Sequence, residues 1–213
     1  MSILMRAPEE CASWEWELDD FAPPGLDSAL MTAARMSEIL RSHNLLDPYS
    51  LEYMWIVYGV GGIGMTTKLS VMGRLDETEL AQRIRQSRPS RFPNAEVGNI
   101  SVSGRGVWLD ADGKEHYESD LIVLTVSPDE LHLSAEVAVF HDVWSHFDFR
   151  GTPHPAIQER NAPRLAAALQ TLDALLGTTA KAGDPTYFGK AQGYGIETPE
   201  AIEGRGPNLT DRI

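Results

Sequence analysis

The sequence predicts an α+β fold: a single domain in which about five mostly antiparallel strands form a sheet accompanied by three helices. Three observations carry that expectation. Extended, β-branched segments at 98–109, 114–127 and 130–144 follow one another through short turns, so neighbouring strands run antiparallel. Helical periodicity is confined to three separated segments. No period of 20–50 residues repeats, which excludes solenoids and propellers, and 213 residues suffice for one large domain.

Taken in order, Trp14 and Trp16 alternate with Glu15 and Glu17, giving an N-terminal strand one aromatic and one acidic face; the aromatic face is expected in the core. Asp27 is expected to cap a helix over 28–44, in which Leu30, Ala33, Ala34, Ser37 and Leu40 share a stripe and Pro48 lies just beyond the end. Residues 53–60 are aromatic and β-branched, and 65–72 alternate after a Gly-rich turn, which predicts a hairpin. Asp76 and Glu79 have the spacing of a capping box, with Leu75 and Leu80 as its hydrophobic staple, so a short helix is expected up to Ser87, before Pro89. The three later strands turn at Asp110-Ala-Asp-Gly113 and Ser127-Pro-Asp129. Leu121–Val126 is apolar on both faces, as in a central strand covered on each side. Asn161-Ala-Pro163 is expected to open the last helix, with Leu165, Leu169, Leu172 and Leu176 on one face and Gly177 as its stop. The expected organisation is thus a single α+β domain over 1–177 and a Gly/Pro-rich C-terminal extension over 178–213, read as loop or tail.

Composition restricts the partners. Asp+Glu number 31 and Lys+Arg 18, a net charge of −13, which disfavours binding to nucleic acid or an anionic membrane surface. No stretch is apolar enough to span a bilayer, and the start lacks the basic and hydrophobic regions of a signal peptide, so a cytoplasmic location is expected. The one cysteine, Cys11, forms no intrachain disulfide and no Cys-rich metal framework. The charge is uneven: residues 1–27 carry −6, residues 92–142 carry −8, and residues 65–91 carry +3. Such blocks are ordinarily solvated faces, and the arginines of 83–91 ordinarily pair with acids of the same chain.

Gly59-Val-Gly-Gly-Ile-Gly64 fits the spacing of a dinucleotide-binding loop, and also of a phosphate loop whose Lys is replaced by Met65. Either loop must open a helix, whose N-terminus holds the phosphate. The following residues alternate as a strand, so no cofactor is expected. His141, Asp142, His146 and Asp148, with His154 beyond, form the densest group of acid-base and ligand-type side chains, where a strand yields to a loop. Imidazole and carboxylate suit Zn, Fe or Mn, yet no helical His pair is present and no metal is assigned. There is no G-x-S-x-G elbow, and Cys11 lacks a cationic surrounding.

The stretch His141-Asp-Val-Trp…Phe147-Asp-Phe-Arg-Gly-Thr-Pro-His-Pro, with Arg160-Asn-Ala-Pro-Arg-Leu and Pro185-Thr-Tyr-Phe-Gly…Gly193-Tyr-Gly-Ile, resembles a group of small acidic actinobacterial proteins. That resemblance spans roughly residues 95–197 and implies no activity. In general character the chain is similar to immunity proteins of bacterial polymorphic toxin systems, being acidic, α+β and without a catalytic signature. The expectation is a non-catalytic interaction protein, an immunity-type inhibitor that binds a basic, nuclease-like toxin domain. Its contact residues would be Glu15, Glu17, Asp19, Asp110, Asp112, Glu115 and Glu118. The alternatives are an enzyme using His141, Asp142, His146 and Asp148, and a homo-oligomeric structural or regulatory domain.

Overall fold

The computed structural model describes residues 4–71, 73–129 and 131–213. Met72, expected on the second hairpin strand, and Glu130, counted in the acidic stretch and at the start of the last strand, lie outside the described residues, as do residues 1–3. In chain order the elements are β1 (Ala12–Glu17), α1 (Leu26–Ser42), β2 (Asp47–Val57), β3 (Gly61–Ser70), α2 (Thr78–Gln86), β4 (Glu96–Leu109), β5 (Glu115–Ser119), β6 (Ile122–Pro128), β7 (Leu133–Val139), α3 (Pro155–Leu176) and β8 (Lys181–Ala182). A two-stranded ribbon follows, β9 (Ala191–Gln192) with β10 (Gly195–Ile196).

The fold is α+β with three helices and a large antiparallel sheet, but that sheet has eight strands and not about five. Its order is β3-β2-β4-β6-β7-β1-β8, with β5 paired to β4. Besides the hairpin and the three later strands, the two ends of the chain each add one: β1, where the Trp/Glu alternation predicted a strand, pairs with β7 on one side and with the unexpected β8, from the extension, on the other. The third arises because the strand expected over 114–127 is broken. Asp120 adopts φ 52, a left-handed conformation that Asp tolerates, so β5 pairs only with the end of β4 while β6 continues between β4 and β7.

Alternation decides which face is buried. Trp14 and Trp16, Leu51, Tyr53 and Trp55, Ile100 and Val102, Leu124 and Val126, and Val137 all lie buried on one side. The helices α1 and α3 pack there. Removing each such side chain from water contributes about 1.5–3 kcal/mol. The other side carries a row across the strands, Glu52, Ser101, Thr125, Glu136 and Glu15, all half-buried or exposed. β6 is buried on one face and half-covered on the other: Val123 and Thr125 are half-buried, with Ala138 and Ser13 buried beside Val123, so the two-sided expectation holds only in part. The sheet has helices on a single side, as antiparallel sheets commonly do.

Helix starts differ from expectation for local reasons. At α1 the N-cap is Gly25, whose φ of 121 suits glycine, and Asp27 lies in the first turn, where it meets the helix dipole and pairs with Arg85. At α2 there is no capping box: Glu77 is the N-cap, and Asp76 is taken by Arg74 at 2.9 and 3.1 Å. α3 begins at Pro155, well ahead of Asn161, with Pro163 inside the helix. Proline is favourable at the first helical position, and Pro155 occupies it. Gly61, Gly62 and Gly64 sit within β3 and the turn is Tyr58–Val60, so the Gly-rich segment opens no helix. The strand expected over 130–144 ends at Val139.

The extension is bound to the body throughout. Asp173 on α3 accepts from Trp16 Nε1 at 2.7 Å, from the Tyr194 hydroxyl at 2.6 Å and from the Ala180 amide at 3.0 Å. Trp14 Nε1 donates to the Gly193 carbonyl at 2.7 Å. The carbonyl of Gly151, a residue at φ 73, accepts from Gly206 N–H at 3.1 Å, and a Cβ on Gly151 would lie 2.3 Å from the Gly206 oxygen, so only glycine permits this approach.

Candidate functional site

β7 ends at Val139, and the chain then passes through an isolated bridge between His141 and Arg6 into a single helical turn at Asp142–Trp144. This geometry turns His141 and Asp142 inward. Their residual exposures are 1% and 2%, beyond the reach of a substrate in bulk water. Burial, with Arg6 nearby, pushes the His141 imidazole down to about 4, so it is neutral at pH 7. Burial pushes the Asp142 carboxyl up to about 7, against the hydrogen bonds that its Oδ1 accepts from backbone, including Met5 N–H at 3.2 Å. Asp142 Oδ2, His141 Nδ1, Trp144 Nε1 and His154 Nδ1 are buried with no hydrogen-bond partner.

His146 and Asp148 lie on the loop that follows, half-buried. His146 packs edge-on against Phe147, and its Nδ1 is 3.3 Å from Gln158 Oε1. Asp148 accepts the amides of Arg150 at 2.9 Å and Thr152 at 2.8 Å through Oδ1, the work of an Asx-type turn. His154 Nε2 is held by the Ser145 carbonyl at 2.9 Å, and burial lowers its basicity. The structure thus brings these side chains into one neighbourhood but not into a ligand set: no group of three or more His, Cys, Asp or Glu among the described residues is placed to hold a metal. Cys11 is buried beside Asp142 and Glu10, which raises its thiol well above the ordinary range and keeps it protonated.

Next to this loop lies a cleft of about 300 Å³, closed on its far side by the extension. Phe147, Asp148 and Phe149 of the loop line it together with Tyr187, Phe188 and Lys190 of the extension. Sequence reasoning missed the residues contributed by the extension. The available signal was the aromatic pair Tyr187-Phe188 inside a Gly/Pro-rich segment, because a solvated tail gains nothing from adjacent aromatic rings.

The seven acidic positions fall in two places. Glu15 and Glu17 project from the open face of β1, where Glu17 pairs with Lys181 at 2.7 Å, and Asp19 just beyond β1 is 3.1 Å from His132. Glu15 stands directly opposite Glu136 in the β1–β7 register, with Lys181 opposite it on β8. Burial and the nearby charges of Glu10 and Glu15 raise the Glu136 carboxyl. Glu10 and Glu136 were not among the expected contacts. The other group is the β4–β5 hairpin: Asp110 is used internally, accepting two turn amides and holding His116 at 2.7 Å, while Asp112, Glu115 and Glu118 form no ion pair among the described residues. The basic segment is used within the chain, Arg85 with Asp27 and Arg88 with Glu96. No helix among the described residues is long and apolar enough to cross a membrane. The chain matches no protein-family model, no curated protein and no solved structure.

Proposed function

We propose that this chain is a non-catalytic interaction protein of the immunity type, which captures a basic, nuclease-like toxin domain on its acidic surface. The observation that supports the reading is the placement of Glu15 directly across from Glu136 on the side of the sheet opposite the helices. Like charges opposed across a strand pair lower stability, and here Glu10 and partial burial add to the cost. A cationic partner relieves it. Glu17 and Asp19 extend the acidic area past β1, and Asp112, Glu115 and Glu118, which form no ion pair among the described residues although Arg164 acts on Glu115 at longer range, supply a second group that steers a basic partner during encounter. Asp110 supports the turn that presents them and makes no direct contact in this reading.

Affinity capture with the full chain in its native host should recover a basic protein, and the purified pair should bind more weakly as salt rises. Reversing Glu15, Glu17, Glu115 and Glu118 to Lys should weaken that binding by about two orders of magnitude, largely through the association rate. Recovery of no basic protein, or unchanged binding by the reversed variant, refutes the reading.

A further inference from the structure

β3 is the outermost strand at one end of the sheet, and among the described residues it pairs with β2 alone. One hydrogen bond fixes which way its backbone points. Val71 N–H donates to the Tyr49 carbonyl at 2.9 Å, in the same register that sets Leu69 opposite Leu51 and Thr67 opposite Tyr53. In an antiparallel pair, residues that bond across alternate with residues whose N–H and C=O point away. The backbone groups of Thr66, Lys68 and Ser70 therefore point out of the sheet, and no described residue bonds to them on that side. Such an edge is a template for a further strand. The bulge, where the β2–β3 register shifts and Gly64 adopts φ 70, lies before Met65–Ser70, and that stretch contains no proline.

Side chains select the occupant. β3 carries no acid in a chain of net charge −13, whereas β5 carries Glu115 and Glu118, and β8 lies beside Glu15 and Glu17 of β1. Two copies can therefore meet edge to edge at β3 without opposing their acids. Lys68, the one charge on β3, stands opposite Glu52 of its own β2, so that row is neutral. The lysine also restricts register. Like charges directly opposed are destabilising, which excludes Lys68 against Lys68 and leaves Lys68 against Thr66 or Ser70 of the other copy. On the other face of the strand the half-buried Leu69 is then opposed by Met65 or Leu69 of that copy, and Met65 is exposed in the single chain.

We propose that two copies of this chain pair antiparallel through the β3 edge about a two-fold axis, joining their sheets into one. β3 and β1 lie towards opposite ends of the strand order, so the pair carries the Glu15–Glu136 face at both far ends, open to partners. The proposal goes beyond the acidic-surface reading and uses none of its residues, so each can fail alone.

The test follows sedimentation of the full chain from about 10 µM to about 1 mM, with amide exchange measured at both limits. A reversible monomer–dimer equilibrium is expected with a dissociation constant on the order of 0.1 mM, since so short an edge buries less than the roughly 1,200 Å² of a standard interface. The Lys68 amide should exchange about five-fold more slowly at the higher concentration, while those of Thr67 and Leu69, already bonded to β2, stay the same. Lys68→Pro removes one outward N–H and leaves every β2–β3 hydrogen bond in place, so it should weaken dimerisation at least about ten-fold without changing the circular dichroism. Lys68→Val keeps the N–H and removes an edge charge, and should strengthen dimerisation about three-fold. A chain that stays monomeric at the higher concentration, a dimer indifferent to Lys68→Pro in folded protein, weakening by Lys68→Val, or assembly beyond two copies, which a two-fold pairing does not allow, overturns the proposal.

Discussion

Asp142 and its neighbour His141 show how burial opposes charge on two adjacent side chains. Asp142 titrates near 7 in the fold and near 4 when unfolded, so the folded state holds a proton that the unfolded state has lost, and this carboxyl subtracts stability as pH rises from about 4 to about 7. His141 titrates near 4 in the fold and near 6.5 when unfolded, so it adds stability as pH rises over almost the same interval. The two slopes nearly cancel. Asp142→Asn removes the first and leaves the second: relative to the wild type, the variant should gain stability progressively between pH 4 and 7, by roughly 4 kcal/mol at the upper end. Urea unfolding of both proteins across that range measures the difference. A difference that stays constant with pH refutes the assignment of a raised carboxyl to Asp142. Of the acid-base residues singled out by their density in sequence, His141 and Asp142 are thus, at the residue scale, a pair whose ionisation is governed by burial, while His146 and Asp148 lie half-buried on the following loop; spacing carries no information about depth.

Element boundaries are set by side chains that stand in for missing backbone. β2 stops pairing with β4 at Asp47 opposite Arg105; beyond it Val107 N–H donates to the Asn44 carbonyl at 2.8 Å, and the Val107 carbonyl and both backbone groups of Leu109 have no strand partner on that edge. α3 closes that edge. The buried Asn161 carboxamide accepts from Leu109 N–H at 2.9 Å and donates to Leu109 C=O at 2.8 Å, as a paired strand would, and also donates to Ile157 C=O at 2.8 Å. One turn on, Arg164 donates to Val107 C=O at 2.8 Å and His43 C=O at 2.9 Å. This explains why α3 starts early: Asn161 is needed inside the helix, not at its N-cap. Asn161→Ala leaves both groups of Leu109 unpaired and should cost about 2–4 kcal/mol, read as a lower denaturation midpoint with an unchanged slope. A loss below about 0.5 kcal/mol would show that water replaces the carboxamide without penalty. From sequence, Asn161 followed by Pro163 has the signature of a helix start, because capping and strand-edge pairing use the same amide chemistry.

At the scale of the molecule, the C-terminal extension joins the body through Asp173, Trp14 and the Gly151–Gly206 approach, and it supplies one side of the cleft. Asp173→Ala removes three hydrogen bonds to a carboxylate and should lower stability by about 3 kcal/mol and the melting temperature by roughly 6–12 °C, with residues 178–213 becoming more rapidly cleaved by protease. Unchanged protease resistance would mean that Asp173 does not hold the extension. Much of the architecture was legible without coordinates: the alternation of Trp14 and Trp16 with Glu15 and Glu17 identified the buried side of β1, Asp-Gly at 112–113 placed a hairpin, and Gly177 ended α3 in the left-handed conformation at φ 71. Each is local, a matter of periodicity or of one residue's allowed dihedrals. The depth of His141 and Asp142, the opposition of Glu15 to Glu136, and the meeting of Phe149 with Phe188 were not legible, since each depends on segments distant in the chain. The bond from Trp14 to Gly193 spans 179 residues. The sequence by itself determined the α+β class, the buried side of β1, α1 and α3 and the surplus of negative charge, because hydrophobic period and composition are carried by neighbours in the chain. Only the tertiary structure decided which acids face each other, how deep the His/Asp pair lies, and that the extension closes a cleft, because those follow from long-range packing that no local pattern encodes.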